Sequence, residues 1–296
     1  MTRLAEVQGR IGSMTELMDV VGAMRSLAGM RAQEAERTLP GVRRYAGSMG
    51  EAIGTACRLV SSDSAGDAAG CARQALVLYM AEHGFVGGFN ERLMDSAQAA
   101  LAPGDALLVM GSRGAAALLE RGRTIAWWTP MAARPAGAPA AVGRLTTELY
   151  ARIARRELMR VDVMFGRYRQ GSPPEIARSQ VLPVDTAALA GPQNRPLPLH
   201  NLAPQVLLER LMAEYVFARL TEAAVESIAS ENAARFAAME QAHGNVGRKL
   251  DALKQQARQA RQEEITTELL DLVSGSELLA ERRMAAHPDH STESAD

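Results

Sequence analysis

The sequence predicts a mixed α/β protein in which a long helix at each end encloses a small domain of alternating strands and helices. Three observations predict it. Apolar residues step by threes and fours at both ends, short apolar runs alternate with glycine turns in the middle, and aromatic residues make up only 4% of the chain. So few aromatics argue against a large aromatic-rich β-sandwich and against a base-stacking nucleic-acid surface.

At the start, Leu4, Val7, Ile11, Met14, Met18, Val21, Met24 and Ala28 form one helical stripe, which continues more weakly through Ala35, Val42, Tyr45, Met49 and Ala52 toward Leu59. Gly9, Gly12, Gly22 and Gly29 each cost roughly 1 kcal/mol relative to alanine in a helix interior. A partner helix must therefore hold this one. Pro40 predicts a kink or a break after Leu39. Residues 1–60 are read as this helix and 61–73 as a linker.

The middle, 74–184, alternates. Ala75–Met80 reads as a buried strand, followed by a glycine turn and a helix over Asn90–Leu101. Asp105–Met110 reads as a second strand, with a short helix over Ala115–Arg121. Thr124–Trp128 is a third strand and Val142–Leu158 a further helix. Val161–Phe165 and Ala177–Val184 close the pattern as strands. Such alternation implies a mostly parallel sheet with helices packed on it. Residues 185–204, with Pro192, Pro196, Pro198 and Pro204, read as a loop.

The second long helix is expected over 205–284. Its seam, Val225, Ile228, Asn232, Phe236, Met239, His243, Val246, Leu250, Leu253, Ala257 and Ala260, advances by about 3.5 residues per step, the period of a left-handed coiled coil. Residues 285–296 form a polar tail.

Composition narrows the function. The 296 residues carry 33 Lys plus Arg against 34 Asp plus Glu, a formal charge of −1, which argues against general electrostatic affinity for nucleic acid or anionic membrane. No run of about 18 apolar residues exists, and the N-terminus lacks the apolar core of a signal peptide. The chain is expected in the cytoplasm. Cys57 and Cys71 lie in no CxxC pair; they read as two unrelated thiols or as a redox bridge across the segment between them.

The candidate chemistry is thin. His83-Gly84-Phe85-Val86-Gly87-Gly88-Phe89-Asn90, between strand and helix, could bring backbone N–H groups to a phosphate. It lacks both GxGxxG spacing and the GKS/T ending of a P-loop. The alternative is a structural turn, with Gly84, Gly87 and Gly88 bending the chain and Asn90 capping the helix. Gly111-Ser112-Arg113-Gly114 is a weaker anion signal of the same kind. His287 and His290 in the polar tail read as part of a disordered segment or, alternatively, as a loose metal site, whereas His243 sits in the helical seam. Thr266 and Glu268 have no nucleophile or second acid beside them, so no catalytic set assembles. Met14, Met18, Met24 and Met30 read as core filler or as an adaptable surface against partners.

Several motifs together resemble the gamma subunit of F-type ATP synthases. They are Arg10-Ile11-Gly12-Ser13, Ala23-Met24-Arg25, Arg44-Tyr45-Ala46, the turn Gly84–Asn90, Gln180-Val181-Leu182-Pro183, Ser230–Met239, Ala257–Gln262 and Ile265-Thr266-Thr267-Glu268-Leu269. The resemblance covers residues 3–278 in order. It implies an antiparallel coiled coil of the terminal helices plus a small Rossmann-like α/β domain. It implies a central rotor stalk without bond chemistry or cofactor, passing torque between an ion-driven membrane ring and a catalytic hexamer of alpha and beta subunits. The epsilon subunit and the membrane c-ring are further implied partners, nucleic acid is not, and the chain is not expected to be a stable functional monomer. The implied location is peripheral, on the cytoplasmic face of the plasma membrane.

By matching position, Met24, Arg25, Arg235, Gln262, Thr266 and Glu268 are implied to contact the hexamer. Met14–Asp19 replaces part of the family's lysine-rich stretch, and Gly275-Ser276 stands where the family has Gly-Ala. These departures point to a divergent branch, such as the alternate, sodium-translocating type of F-type ATPase. A nucleotide-binding α/β protein with coiled-coil arms, or an unrelated coiled-coil scaffold, are the competing readings.

Overall fold

A computed structural model describes residues 3–60, 73–169, 174–189 and 199–285, with side chains described up to Ser276. The elements run α1 (Arg3–Ala56), β1 (Arg73–Tyr79), α2 (Phe89–Ala100), β2 (Ala106–Met110), α3 (Ser112–Glu120), β3 (Trp127–Thr129), α4 (Ala138–Ala154), β4 (Leu158–Arg167), β5 (Glu175–Leu182) and α5 (Pro204–Ala285). Short 3-10 turns follow α1 and precede α4.

The sheet has the order β3-β2-β1-β4-β5. The first four strands are parallel, with Val77 opposite Leu108 on one side and Val163 on the other, and β5 runs antiparallel to β4. Because side chains alternate across a strand, Ala75, Val77, Tyr79, Val161 and Val163 face one layer while Leu76, Leu78, Met80 and Met164 face the other. The first layer packs on α4 together with Ala35 and Leu39 of α1 and Val216–Ala229 of α5. The second packs on α2 and α3 through Phe89, Leu93, Met94, Ala115 and Leu118.

The described residues fall into two compact units, one spanning Ala23–Glu240 and one joining the start of α1, up to Gly22, with α5 from Gln241. In the larger unit α1 and α5 run antiparallel. Arg25 pairs with Glu240 at 2.9 Å, Gly29 lies under the Phe236 ring, Arg43 pairs with Glu226 and Tyr45 donates to Glu214 at 2.9 Å. The smaller unit is antiparallel too: Gly22 faces His243, Met18 faces Gly247, and Arg3 pairs with Glu263 at 3.4 Å. Gly22 and Gly29 of α1 and Gly247 of α5 thus lie against bulky side chains of the other helix, whereas a side chain at Gly9 or Gly12 would meet no neighbour.

Several expectations are corrected. Of the kink or break expected after Leu39, the break does not occur: α1 runs through Pro40. Proline removes one donor and crowds one carbonyl, but Pro40 is exposed, while Ala35, Leu39 and Ala46 are buried around it and hold the helix course. The helix read as Val142–Leu158 is α4, opening four residues earlier with Pro139 in its first turn and ending at Ala154, so that Leu158 starts β4. Proline fits a first helical turn because the N–H there has no intrahelical partner. The same rule makes Pro204 the first residue of α5 rather than the end of the loop. In Gly111–Gly114 only Gly111 is the turn; Ser112 already opens α3. The third strand is shorter and later than read, Trp127–Thr129.

Candidate functional site

In a parallel sheet of this order, the crevice outside the carboxyl ends of β1 and β4 is where open α/β folds place ligands. Here the chain's own side chains fill it. Ser227 Oγ donates to Tyr79 O at 3.0 Å, Ser230 Oγ donates to Gly166 O at 2.7 Å, and the Tyr79 hydroxyl donates to Leu220 O at 2.9 Å. A Cβ on Gly166 would stand 2.6 Å from Phe89 Cε2 and 2.8 Å from Ser230 Cβ. Glycine is what lets α2 and α5 close over the strand ends.

The two helix N-termini beside this crevice carry carboxylates. Glu82 accepts from Ser112 N (2.9 Å), Ser112 Oγ (2.7 Å) and Met131 N (2.7 Å), so it occupies the N-terminal anion position of α3. Glu91 lies in the first turn of α2, and its Oε2 passes 3.5 Å from where a Gly88 Cβ would be. A phosphate would meet negative charge at both ends. The sharp turn before α3 needs Gly111, whose φ is +123° and whose Cβ would strike Met80 O at 2.4 Å.

The turn 82–90 is anchored by Glu231 and Arg235 on α5. Arg235 is 6% exposed and donates to Glu231 (2.5 Å), Asn232 Oδ1 (3.0 Å), Gly84 O (3.1 Å) and His83 O (3.2 Å). Glu231 also accepts from Glu82 N at 3.4 Å. Burial lifts the Glu231 carboxyl above the usual carboxylate range, and Arg235 pulls back part of that rise. Within the turn, Phe85 and Gly87 have positive φ, and the Phe85 side chain is exposed.

Of the residues read as a structural turn, Gly87 has positive φ and Gly84 offers its carbonyl to Arg235, while one reading is corrected. Asn90 does not cap α2: it is the second residue of the helix, and its Oδ1 accepts from Ala81 N at 3.0 Å, tying the helix to the end of β1. The residues implied as partner contacts are dispersed. Met24 and Arg25 are half-buried on α1. Gln262, Thr266 and Glu268 are exposed on α5, with the Thr266 hydroxyl donating to Gln262 O at 2.8 Å. Arg235 departs from the others because its guanidinium is buried among partners of this chain, whereas Arg25 pairs with Glu240 at the surface.

Sequence reasoning missed Glu82, and it named Phe89 only as part of the glycine turn, not as the ring that packs at Gly166; the folded contacts reveal both. Glu231 was readable, since it precedes Arg235 by four residues, the spacing of a helical ion pair. Seam residues behave as expected from Val225 to Ala260 except Phe236, which is 41% exposed. Beyond it, Ile265, Leu269, Leu270, Leu272 and Val273 are exposed on α5 past Glu263, where α1 has already ended at Arg3. Cys57 is half-buried with its thiol pKa pushed up by burial. Cys71, His287 and His290 lie outside the described residues. Among the described residues, no group of His, Cys, Asp and Glu could hold a metal ion, and no helix is long and apolar enough to cross a membrane.

Comparison with known proteins gives a consistent result. The family described as ATP synthase matches residues 3–279. The ATP synthase gamma chain of Geotalea daltonii is 25% identical over 285 residues, covering 94% of this chain and 99% of that one. The gamma chain of Phenylobacterium zucineum is 28% identical, covering 94% and 100%. Among solved structures, a chain of the Euglena gracilis mitochondrial ATP synthase (OSCP/F1/c-ring, rotational state 3) superposes with a TM-score of 0.65 at 13% identity, covering 99% of both chains. A chain of the Tetrahymena thermophila mitochondrial ATP synthase central stalk and c-ring gives 0.55 at 17% identity, covering 75% and 99%. At these identities the structures speak to the fold, and the long match to the family settles membership: this chain belongs to the ATP synthase gamma-chain family.

Proposed function

We propose that the chain is the central rotor-stalk subunit of an F-type ATP synthase or ATPase, carrying torque between an ion-driven membrane ring and a catalytic hexamer of alpha and beta subunits, and doing no bond chemistry itself. One observation carries this reading over a nucleotide-binding one: the crevice where an α/β fold would hold a nucleotide is filled by Phe89, Ser227 and Ser230, with Glu82 seated at the α3 N-terminus. What the fold offers instead is two paired helices of 54 and 82 residues, both packed into the sheet domain over part of their length. A stiff pair tied to a globular base is what transmission through discrete interface states needs.

In this reading the terminal helices serve as the shaft and the α/β domain, about 74–184, as its base. Met24, Arg25, Gln262, Thr266 and Glu268 meet the hexamer, whereas Arg235 serves from inside, holding the base to the shaft. The epsilon subunit and c-ring are the partners at the base, and the complex sits on the cytoplasmic face of the plasma membrane. The deciding experiment is co-purification with ATPase alpha and beta subunits, followed by reconstitution. ATP hydrolysis should couple to ion transport only with this chain present; coupling without it overturns the proposal. Equilibrium dialysis against ATP, ADP and NAD should show no tight binding.

A further inference from the structure

The two edges of the sheet differ. β3 pairs only with β2 and is three residues long. β5 pairs only with β4 and runs for eight residues, Glu175–Leu182. Its ladder is regular from Glu175, opposite Arg167, to Gln180, opposite Asp162; β5 then carries an extra residue, Val181, before Leu182 meets Val161. In an edge strand every second residue aims its N–H and C=O away from the neighbouring strand. Among the described residues, no group hydrogen-bonds to that outward row between Glu175 and Gln180; the nearest such bonds fall outside it, on Pro174 O and Pro183 O.

Folded proteins blunt such edges with short strands, proline, lysine or a bulge. Glu175–Gln180 holds no proline, glycine or lysine, and the bulge lies past it. Residues opposite each other across strands share a face. Ile176, Arg178 and Gln180 therefore lie on the side of Met164 and Asp162, and Ala177 on the side of Phe165. Ile176 and Ala177 pack into the two core layers, while Arg178 and Gln180 are exposed. Arg178 pairs with Asp162 at 2.7 Å, and Asp162 also takes Arg160 at 3.2 Å. Two guanidinium groups on one buried carboxylate leave a positive charge in surplus on this edge. Glu175 does not offset it, because it pairs with Arg169 at 3.1 Å.

We infer that β5 is a strand-accepting edge, where an extended segment of a partner subunit adds to the sheet with an acidic side chain beside Arg178 and an apolar one beside Ala177. The unpaired main-chain row selects an extended occupant, because a helix spends its own N–H and C=O groups internally. The charge surplus selects the acid, since an arginine fork suits a carboxylate. The alternation follows from the strand itself, whose successive side chains face opposite sides. The inference rests on the chain residing in a complex, as proposed above.

The test is residue-resolved hydrogen exchange on the full chain alone and within the purified complex. Recovery of the other subunits with the chain separates failure of the complex reading from failure of this one. In the chain alone one alternate set of amides, Glu175, Ala177 and Ser179 or Ile176, Arg178 and Gln180, should exchange fast while the other is held by β4. In the complex the fast set should slow by roughly a hundredfold. A photo-crosslinker at an exposed position, Gln180→p-benzoylphenylalanine, should then join another subunit at a segment carrying Asp or Glu. Arg178→Gln leaves Asp162 bonded to Arg160 and to Gln74 at 3.3 Å, so the sheet keeps its acid paired. It should lower the crosslink yield about two- to fivefold, the worth of one exposed pair. An outward set already slow in the chain alone, or still fast in the complex, or slowed without the period of two, overturns the inference. So does crosslinking to lipid, to a second copy of this chain or to a neutral or basic segment, or a yield indifferent to Arg178→Gln.

Discussion

Arg235→Met tests the joint between the α/β domain and α5. The substitution keeps an unbranched apolar stem but removes the charge and the donors to Glu231, Asn232, Gly84 O and His83 O. Glu231, 5% exposed, is then left as a buried carboxylate without its cation. Breaking one side of a buried pair costs roughly 3–5 kcal/mol, much of it from the stranded charge. The double variant Arg235→Met with Glu231→Gln removes that charge and should recover most of the loss.

The pH dependence follows from the direction of the Glu231 shift. Its folded pKa is raised by burial above the unfolded value, and the Arg235 contribution opposes that rise. A carboxyl with a raised folded pKa binds its proton more readily when folded, so its contribution to stability is fully present below the unfolded pKa. It is lost as pH rises through the folded pKa. Without Arg235 the folded pKa climbs further and the loss extends to higher pH. The destabilisation by Arg235→Met should therefore be smaller at pH 5 than at pH 8. Urea unfolding of the full chain at both pH values measures it, with hydrogen exchange at the Glu82 and His83 amides reporting the joint. An unchanged midpoint, a larger loss at pH 5, or no recovery in the double variant would refute the reasoning.

Other outcomes follow from the same contacts. Gly166→Ala should destabilise by about 1–3 kcal/mol through overpacking against Phe89 and Ser230, with partial rescue by Phe89→Leu, read by denaturant titration. Tyr79→Phe should cost about 1 kcal/mol by removing the buried hydroxyl's bond to Leu220 O, a carbonyl that keeps its helical donor; an unchanged unfolding midpoint would speak against that bond. Truncation after Glu264 removes Ile265, Leu269, Leu270, Leu272 and Val273, all exposed. It should leave the chain's own stability within about 0.5 kcal/mol while weakening assembly with alpha and beta subunits, measured by pull-down. Met24→Lys should lower coupling of hydrolysis to transport more than expression, in a transport assay with a distant surface lysine as control; equal loss in the control would undo it.

Periodicity alone determined the two long helices, because a stripe repeating every three to four residues is buried only if a second helix covers it. The seam from Val225 to Ala260 was legible for that reason, as was the mostly parallel sheet from apolar runs between glycine turns. Element ends were less legible. Pro40 and Pro139 carry the same local signal, and only burial of the neighbouring residues decides whether a proline interrupts a helix or opens one. Likewise Arg235 reads in sequence as one more basic residue on a helix face. Which way it points depends on α5 lying against the end of β1, a contact between residues about 150 positions apart. The closing of the crevice beside β1 by Glu82, Phe89 and Ser230 is a product of the same long-range packing. Local pattern fixes which elements form; tertiary packing decides which charges are buried, paired or left facing a partner.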